Sequence, residues 1–216
     1  MGEVSGNYKV AIVGFGWVGK AYYKMFPDAV IYDPHHPPIT TGIVRNNPIT
    51  GEPEQLVLHP NKTTREQVNA CDLTIVAVPT NPDVDGKLDM AIVEDVIKWI
   101  DTPLILIKSA LQPGTVDRLV KETGKKIAVS VEMVGEGKYF VPFWKYPDAE
   151  NPVAHSFLIV GGEEETARRC ADFLWAKMSP DINIHLTSAV EAEICKLMEN
   201  TWGALKVTFA NTMYDI

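Results

Sequence analysis

Residues 10–19 read Val10-Ala11-Ile12-Val13-Gly14-Phe15-Gly16-Trp17-Val18-Gly19, an apolar run that passes directly into three glycines. A helical pattern follows to Phe26. In such a strand, turn and helix, the first glycine makes the tight turn, the second lets backbone approach a pyrophosphate, and the third lets the helix pack on the strand. The amino terminus of the helix then meets the phosphate charge. The stretch predicts a dinucleotide-binding turn built on Gly14, Gly16 and Gly19.

An acidic residue stands where such a turn needs one. A second apolar run, at 29–32, ends in Asp33, which lies 19 positions after Gly14. A carboxylate at this point accepts hydrogen bonds from the adenosine ribose hydroxyls and repels a 2′-phosphate. Asp33 therefore predicts NAD rather than NADP as the cofactor.

The composition argues against several classes of partner. A net charge of -8 and a pI near 5.1 provide no basic face for nucleic acid or an anionic membrane surface. Cys71, Cys170 and Cys195 are too widely spaced for a zinc site or a disulfide framework. No apolar run suits export or a membrane span. We expect a soluble, cytoplasmic protein with no bound metal.

Buried strands and helices alternate along most of the chain, which predicts a Rossmann-type α/β fold with a doubly wound, mostly parallel sheet. Apolar runs without polar alternation are typical of strands buried on both faces. These runs lie at 73–78, 104–107, 127–131 and 157–160, with helical patterns at 90–100, 116–122 and 163–178 and a last short strand at 181–186. The glycines at 161 and 162 are expected to end the strand before them.

Two other segments are predicted from their local chemistry. The prolines between Pro34 and Pro53 deny that segment a regular helix and favour a long surface loop. A threonine cap with acids and amides behind it then predicts a short helix that ends at Ala70.

The last helical pattern begins at Thr187 and Ser188 and continues to Ile216 without a stop signal. We divide the chain into an NAD-binding domain at 1–186 and the start of a long central helix at 187–216. The open amphipathic end predicts either that a longer chain has been cut or that the helix docks on a partner.

Polar residues follow several buried strands, at the sheet edge where ligands of this fold class bind. Thr80 follows the run 73–78, in a segment that could also be a simple turn. Ser109 follows the run 104–107 and could reach a nicotinamide, although it is equally suited to cap a turn. Glu132 and Glu136 follow the run 127–131, where two carboxylates suit general-base or water-orienting work, or are merely solvated.

Lys196 and Asn200 lie one helical turn apart in the terminal helix, so they project from the same face. An amine and an amide together can stabilise a developing oxyanion. The alternative is a solvated face on which Lys196 pairs with Glu193 or Glu199. Asparagine has a poor helix propensity, which favours a functional reason for Asn200.

In order along the chain, these segments resemble the nucleotide-sugar dehydrogenases that oxidise UDP-glucose or GDP-mannose, in particular their N-terminal NAD-binding domain. The resemblance spans nearly the whole chain. The matching segments are Val78-Pro79-Thr80, Lys108-Ser109-Ala110, Pro113-Gly114-Thr115, Ser130-Val131-Glu132 with Glu136-Gly137, and the helix from Glu191 through Lys196 and Asn200 to Asn211.

The resemblance implies a role for each candidate residue. NAD would be held by Gly14, Gly16, Trp17, Val18, Gly19, Asp33, Thr80 and Ser109. Lys196 and Asn200 would stabilise the C6 oxygen of the sugar, Glu132 would assist a water or a proton transfer, and Glu136 would neighbour cofactor and substrate. In this family two hydrides pass from the C6 alcohol to NAD, with a thiohemiacetal and a thioester on a cysteine. The resemblance also implies a nucleotide-sugar substrate and a homodimer formed through the terminal helix.

The chain departs from the family pattern at the reacting end. The family's cysteine nucleophile follows the central helix, and this chain stops before such a segment. Cys195 is no substitute, because it lies about 100° round the helix from Lys196. Ala110 stands where the family has a threonine. Two alternatives therefore stay open: an NAD-dependent hydroxyacid dehydrogenase that needs no cysteine, and a non-catalytic NAD-binding module.

Overall fold

The computed structural model describes residues 8–46, 52–131, 134, 152–154, 157–178 and 181–215. Within these residues the chain forms nine strands, six α-helices and two short 3-10 helices. The strands are β1 Val10–Val13, β2 Val30–Tyr32, β3 Ile39–Asn46, β4 Pro53–Leu58, β5 Leu73–Val76, β6 Leu104–Ile107, β7 Ile127–Ser130, β8 Phe157–Gly162 and β9 Asn183–Thr187. The α-helices are α1 Trp17–Met25, α2 Arg65–Asn69, α3 Ala91–Trp99, α4 Thr115–Thr123, α5 Glu164–Trp175 and α6 Ala189–Tyr214.

Seven strands form one sheet in the order β2-β1-β5-β6-β7-β8-β9. All neighbouring pairs are parallel except β7 and β8, which are antiparallel. Every residue of β1, β5, β6 and β7 is buried, as the unbroken apolar runs predict for strands covered on both faces. The doubly wound, mostly parallel fold is confirmed.

Helices cover both faces of the sheet and enclose two hydrophobic cores. One core lies between one face of the sheet and the helices α1 and α5, and includes Tyr22 and Leu174. The other joins the opposite face to α3, α4 and the first turns of α6, for example through Ile97, Leu119 and Ala192. The sheet is therefore the middle layer of three, and its strand ends form the exposed edges.

The segment after Asp33 differs from the predicted surface loop, because β3 and β4 form an antiparallel hairpin across it. Proline excludes a helix but not a strand that begins with it, and Pro53 is the first residue of β4. Ile39 and Leu58 face each other in this hairpin and pack against the core. The β-branched residues in this segment favour strands. The prediction of a loop considered only the prolines and therefore missed the hairpin.

The prediction that residues 161 and 162 end their strand is wrong, because β8 continues to Gly162. A Cβ on Gly161 would lie 2.5 Å from the carbonyl oxygen of Ser188 and 2.6 Å from the Cβ of Ala192. The glycine is there because the first turns of α6 lie directly against β8. This contact sets the position of α6 on the sheet.

The predicted threonine cap is confirmed as a capping box at the start of α2, and a second capping box begins α6. Thr64 exchanges hydrogen bonds with Gln67 at the start of α2, and Ser188 does so with Glu191 at the start of α6. Hydrogen bonds from the side chains of Thr187 and Ser188 lower the pKa of Glu191 to about 2. The carboxylate of Glu191 is therefore ionised at the helix terminus where the dipole favours an anion.

A buried carboxylate joins α6 to α4. Glu193 is 1% exposed, and its two oxygens accept hydrogen bonds from the backbone N–H groups of Gly114 (2.5 Å) and Val116 (2.8 Å). Gly114 caps α4 with a left-handed φ of 87° and has no side chain of its own to satisfy these donors. Burial raises the pKa of Glu193, the two backbone donors oppose that rise, and nearby Asp117 adds to it. One side chain thus supplies the amino-terminal cap of another helix.

We predict that Glu193→Leu lowers the free energy of unfolding by about 1–3 kcal/mol, because the backbone N–H groups of Gly114 and Val116 lose their acceptor. Urea unfolding measures the change, and Glu165→Leu, at an exposed acid of α5, is the control. Glu193→Gln, which cannot ionise, then tests the pH dependence. The folded-state pKa of Glu193 is raised, so the folded protein binds a proton that the unfolded chain, with a pKa of about 4.3, has released. The stability gained from binding this proton is complete below the pKa of Glu193 in the unfolded chain. It is lost as the pH rises through the pKa of Glu193 in the folded protein. The wild type should therefore lose stability relative to Glu193→Gln across this window, and equal stability of the two at every pH would contradict the assignment.

Candidate functional site

The glycine turn between β1 and α1 is shaped by two close backbone approaches. Gly14 has a φ of 91°, and a Cβ there would lie 2.4 Å from the carbonyl oxygen of Ala77. A Cβ on Gly19 would lie 2.1 Å from the carbonyl oxygen of Gly14. Only glycine fits either position, since a side chain would push α1 away from the strand ends.

Gly16 differs from the other two glycines because a Cβ there would meet nothing within 4 Å. It is the N-cap of α1, and no side chain caps the helix at that end. The N-cap residue therefore offers no side-chain acceptor to the first N–H groups of α1. Because Gly16 has no side chain to block the approach, a phosphate group can come close to this helix terminus.

Asp33 follows β2 at the same sheet edge. Its carboxylate accepts hydrogen bonds from the backbone N–H groups of Phe15 (2.9 Å) and His35 (3.0 Å). The first of these bonds ties the acid to the glycine turn, 18 positions earlier in the chain. The carboxylate is therefore oriented before any ligand arrives, and its remaining lone pairs can accept ribose hydroxyls.

A cleft of about 560 Å³ opens along the carboxyl ends of β1, β2, β5 and β6. We call it the first cleft. It brings together most of the residues predicted from the sequence, which are Gly14, Gly16, Trp17, Val18, Asp33, Thr80, Ser109 and Lys196. Gly19 lies behind the turn, where it allows the helix to pack rather than lining the cleft.

Ser109 has a local partner, since its hydroxyl donates a hydrogen bond to the carbonyl oxygen of Val78 at 2.6 Å. This bond joins the loops that follow β5 and β6. The oxygen of Ser109 keeps its capacity to accept a hydrogen bond from a ligand in the cleft. Thr80 and Ala110 line the cleft on either side of this bond.

Lys196 reaches the first cleft from α6, and its ammonium group pairs with Glu199 at 3.0 Å. The alternative pairing with Glu193 does not form, because that carboxylate is turned to α4. Asn200 follows one turn later on the same face of α6 and is exposed. Among the described residues, Lys196 lines the cleft and Asn200 does not.

Glu132 and Glu136 lie outside the described residues. Of the residues nearby in sequence, Val131 follows β7 and Val134 lines the first cleft.

Three residues near the two clefts were given no role from the sequence, although Lys108 belongs to the segment Lys108-Ser109-Ala110 quoted above. Lys108 is buried beside the first cleft and donates hydrogen bonds from Nζ to the hydroxyl of Ser130 (2.9 Å) and the carbonyl oxygen of Val131 (3.2 Å). Arg65 and Trp99 line a second cleft on the far side of Asp33. No local signal marks the last two, since they lie on separate helices and meet only in the folded chain.

Two negative findings concern the described ranges only. Within them, no group of three or more His, Cys, Asp or Glu side chains is placed to hold a metal ion. None of the helices in the described part of the chain has the length and apolar character to cross a membrane.

Comparison with known proteins gives consistent results. A family model described as the UDP-glucose/GDP-mannose dehydrogenase family, NAD binding domain, matches residues 51–178. A UDP-N-acetyl-D-mannosamine dehydrogenase of Methanococcus maripaludis (strain C7) is 25% identical over 99% of this chain and 53% of its own length. A UDP-glucose 6-dehydrogenase of Streptococcus pneumoniae is 28% identical over 94% of this chain and 55% of its own. The chain spans about half the length of the curated relatives it matches.

The solved structure of a UDP-glucose dehydrogenase from Pyrobaculum islandicum superposes with a TM-score of 0.67. It is 21% identical in sequence, and the match covers 99% of this chain and 54% of that chain. At this identity the likeness supports the fold alone.

A doubly wound sheet with a glycine turn, an uncapped helix terminus and an acid after the second strand defines a dinucleotide-binding domain of the dehydrogenase type. The family match is more specific and covers more than half of the sequence. This chain belongs to the UDP-glucose/GDP-mannose dehydrogenase family and carries its NAD-binding domain. Of the two dehydrogenase families considered from the sequence, the match supports the nucleotide-sugar enzymes.

The three glycines allow a matched test. We predict that Gly16→Ala leaves the free energy of unfolding within about 1 kcal/mol of the wild type, because its Cβ meets only open space. It should lower the affinity for NAD⁺ by about tenfold or more, since the methyl group lies where the pyrophosphate must approach. Gly19→Ala should instead destabilise the fold by about 1–3 kcal/mol or more through overpacking. Calorimetric titration and urea unfolding measure the two effects, and unchanged NAD⁺ affinity in Gly16→Ala would contradict the site.

Proposed function

We propose that this protein provides the NAD-binding part of a nucleotide-sugar 6-dehydrogenase, which oxidises the C6 alcohol of a nucleoside-diphosphate hexose of the UDP-glucose or GDP-mannose type to a carboxylate. One observation carries the proposal: Lys196, on the separate helix α6, lines the same cleft as the glycine turn. An NAD-binding domain alone needs no such amine. In a dehydrogenase, such an amine can stabilise the negative charge that develops on the alcohol oxygen while the carbon loses its hydride.

The chain's own residues fit the cofactor. The uncapped terminus of α1 and the open backbone at Gly16 would receive the pyrophosphate, while Asp33 would accept the adenosine ribose hydroxyls. Trp17, Val18, Thr80 and Ser109 would line the path toward the nicotinamide. When bound, NAD accepts the hydride that leaves the sugar carbon.

Lys196 would donate a hydrogen bond to the C6 oxygen of the sugar. Its ammonium group has three N–H donors, and the 3.0 Å contact with Glu199 orients the side chain at the cleft. Asn200, on the same face, would add an amide donor when the sugar is bound. In a cleft that excludes water, a positive charge next to the developing oxyanion stabilises the transition state more than the ground state.

Glu132 and Glu136 complete the proposed machinery. Glu132 would hold a water or take a proton near the reacting carbon, and Glu136 would neighbour both cofactor and substrate. Support for this comes from the family resemblance and from Val134, which lines the first cleft between the two acids in sequence.

One observation favours a second candidate, a non-catalytic NAD-binding module. Ala110 lines the first cleft at the place where the family resemblance implies a hydroxyl group. Cys195 is half-buried and packs against the core rather than the cleft, so its thiol is no substitute nucleophile. NAD⁺ binding without oxidation of any nucleotide sugar, even when any natural downstream segment is supplied, would support this second candidate.

We predict that Lys196→Ala lowers the rate of nucleotide-sugar oxidation by about 100- to 1000-fold, the usual effect of removing one oxyanion donor. The affinity for NAD⁺ should stay close to that of the wild type, because the proposed partner of Lys196 is the sugar. NADH formation is measured for the chain joined to any natural downstream segment, with UDP-glucose, GDP-mannose and UDP-N-acetylmannosamine as substrates and a 3-hydroxy acid for comparison. Lys121→Ala, at an exposed lysine of α4, is the control and should behave as the wild type.

Three outcomes would contradict the proposal in different ways. Full activity in Lys196→Ala would remove the assigned role of the amine. Oxidation of the 3-hydroxy acid but of no nucleotide sugar would favour a hydroxyacid dehydrogenase. Failure of the folded wild type to bind NAD⁺ would reject both enzyme candidates and the binding module.

We also propose that α6 pairs with a second copy of this chain. Beyond its anchored first turns, α6 carries an exposed apolar stripe on one face: Ile194, Met198, Trp202, Leu205, Phe209 and Met213. The spacing of three and four residues keeps these side chains in line along the helix. A stripe of this size on one helix is typical of an interface, and two identical stripes can pack against each other around a two-fold axis.

We predict that the double change Leu205→Glu with Phe209→Glu converts a dimer into a monomer, because it buries charge in the apolar interface. Light scattering after size exclusion measures the mass. The control is Asn211→Glu, which adds one negative charge on another face of α6 and should leave the dimer intact. A wild type that is monomeric at high concentration would contradict the pairing.

A further inference from the structure

The second cleft, of about 410 Å³, continues from the first around Asp33. The two clefts share Gly14, Asp33, His35, Val78 and Pro79. Asp33 therefore stands at the junction, with the glycine turn on one side and the second cleft on the other. A dinucleotide whose ribose is held by Asp33 and whose pyrophosphate meets α1 must extend its base into the second cleft.

The walls of the second cleft are mostly apolar. Val78 and Pro79 form one side, and Ile92 and Val96 of α3 form another. A flat, weakly polar group gains free energy by covering such surfaces. The volume and shape suit a heterocyclic base better than a second phosphate.

Arg65 and Trp99 form the far wall of the second cleft. The guanidinium group of Arg65 lies 4.9 Å from the centre of the Trp99 ring, which is a cation–π contact. The Trp99 ring also meets the ring of Tyr32, with centroids 5.1 Å apart. Trp99 is thus held between β2 and α2, and Arg65 presents a planar charged surface beside it.

This wall is built by an asparagine that joins two helices. The amide group of Asn69 donates a hydrogen bond to the carbonyl oxygen of Trp99 at 3.0 Å, and its oxygen accepts one from the N–H group of Asp101 at 2.9 Å. These bonds fix the end of α2 to the end of α3, so Arg65 and Trp99 are placed by the backbone. Arg65 is the first residue of α2, where the helix dipole favours an acid over a cation. A cation in that position needs another reason, and the second cleft supplies one.

We infer that Arg65 and Trp99 form the wall against which the adenine base of the cofactor stacks, so that they determine the affinity for the adenosine half of NAD. The inference rests on NAD binding in the first cleft, as proposed above. Base stacking on aromatic and guanidinium planes depends on the flat face of the base. It differs from a contact between a charge and a phosphate, which depends on charge alone.

The test compares ligands that contain adenine with one that does not. We expect Arg65→Ala to weaken binding of NAD⁺, ADP-ribose and AMP by the same factor, roughly 5- to 100-fold, the range for loss of one stacking partner. Nicotinamide mononucleotide should bind the variant and the wild type equally. Arg65 is exposed, so the change should leave the fold intact. Trp99→Leu provides a second variant with the same expected pattern, and thermal unfolding of each variant shows whether the fold is kept.

Two controls separate stacking from other effects. Arg168→Ala removes an exposed arginine of α5, remote from both clefts, and should bind all four ligands as the wild type does. Arg65→Lys keeps the charge but loses the planar group, so it should show most of the loss seen with Arg65→Ala.

Each contrary result has a distinct meaning. Full affinity in Arg65→Lys would overturn the stacking role and point to a phosphate contact. A wild type that binds NAD⁺ while Arg65→Ala binds it equally well would overturn this inference and leave the proposed function standing. A folded wild type that binds neither NAD⁺ nor ADP-ribose would overturn the proposed function together with this inference.

Discussion

The carbonyl oxygen of Gly14 occupies the space where a side chain of residue 19 would lie, and the rest of the site depends on this contact. Because Gly19 has no side chain, α1 packs against the turn that leaves β1. The amino terminus of α1 is then held at the carboxyl edge of the parallel strands. The loops after β1, β2, β5 and β6 end at the same edge, so their polar groups surround a single cleft. A side chain at position 19 would move the helix and the cleft together.

A second contact brings the possible chemistry to this cofactor site. Glu193 joins α6 to the amino terminus of α4, and Gly161 lets the same turns of α6 lie against β8. Lys196 follows Glu193 by less than one turn and is therefore carried into the first cleft. Of the two acids that the sequence offered as partners for this lysine, Glu199 pairs with it, and Glu193 instead supports the helix that positions it. Charge pairing on a helix face is a weak force, and two buried backbone donors at a helix terminus bind the carboxylate more strongly.

Local patterns in the sequence were sufficient for most of the fold. Unbroken apolar runs predicted β1, β5, β6 and β7, since strands buried on both faces leave no polar alternation. The hairpin of β3 and β4 was missed because prolines exclude helices far more strongly than they exclude strands that begin with them. The continuation of β8 through Gly161 was missed for a related reason: a glycine that reads as a break can equally mark the close approach of another element.

By itself, the sequence determined the parallel sheet, the glycine turn, the acid at Asp33 and the strand-end residues of the first cleft. These features follow from burial and backbone geometry within short segments, which leave a readable pattern of residue types. Only the tertiary structure decided that Glu193, 79 positions from Gly114, caps α4. It also decided that Arg65 and Trp99 meet beside Asp33. Contacts of this kind depend on how whole helices are placed, because each partner is an ordinary surface or helix residue until the chain folds.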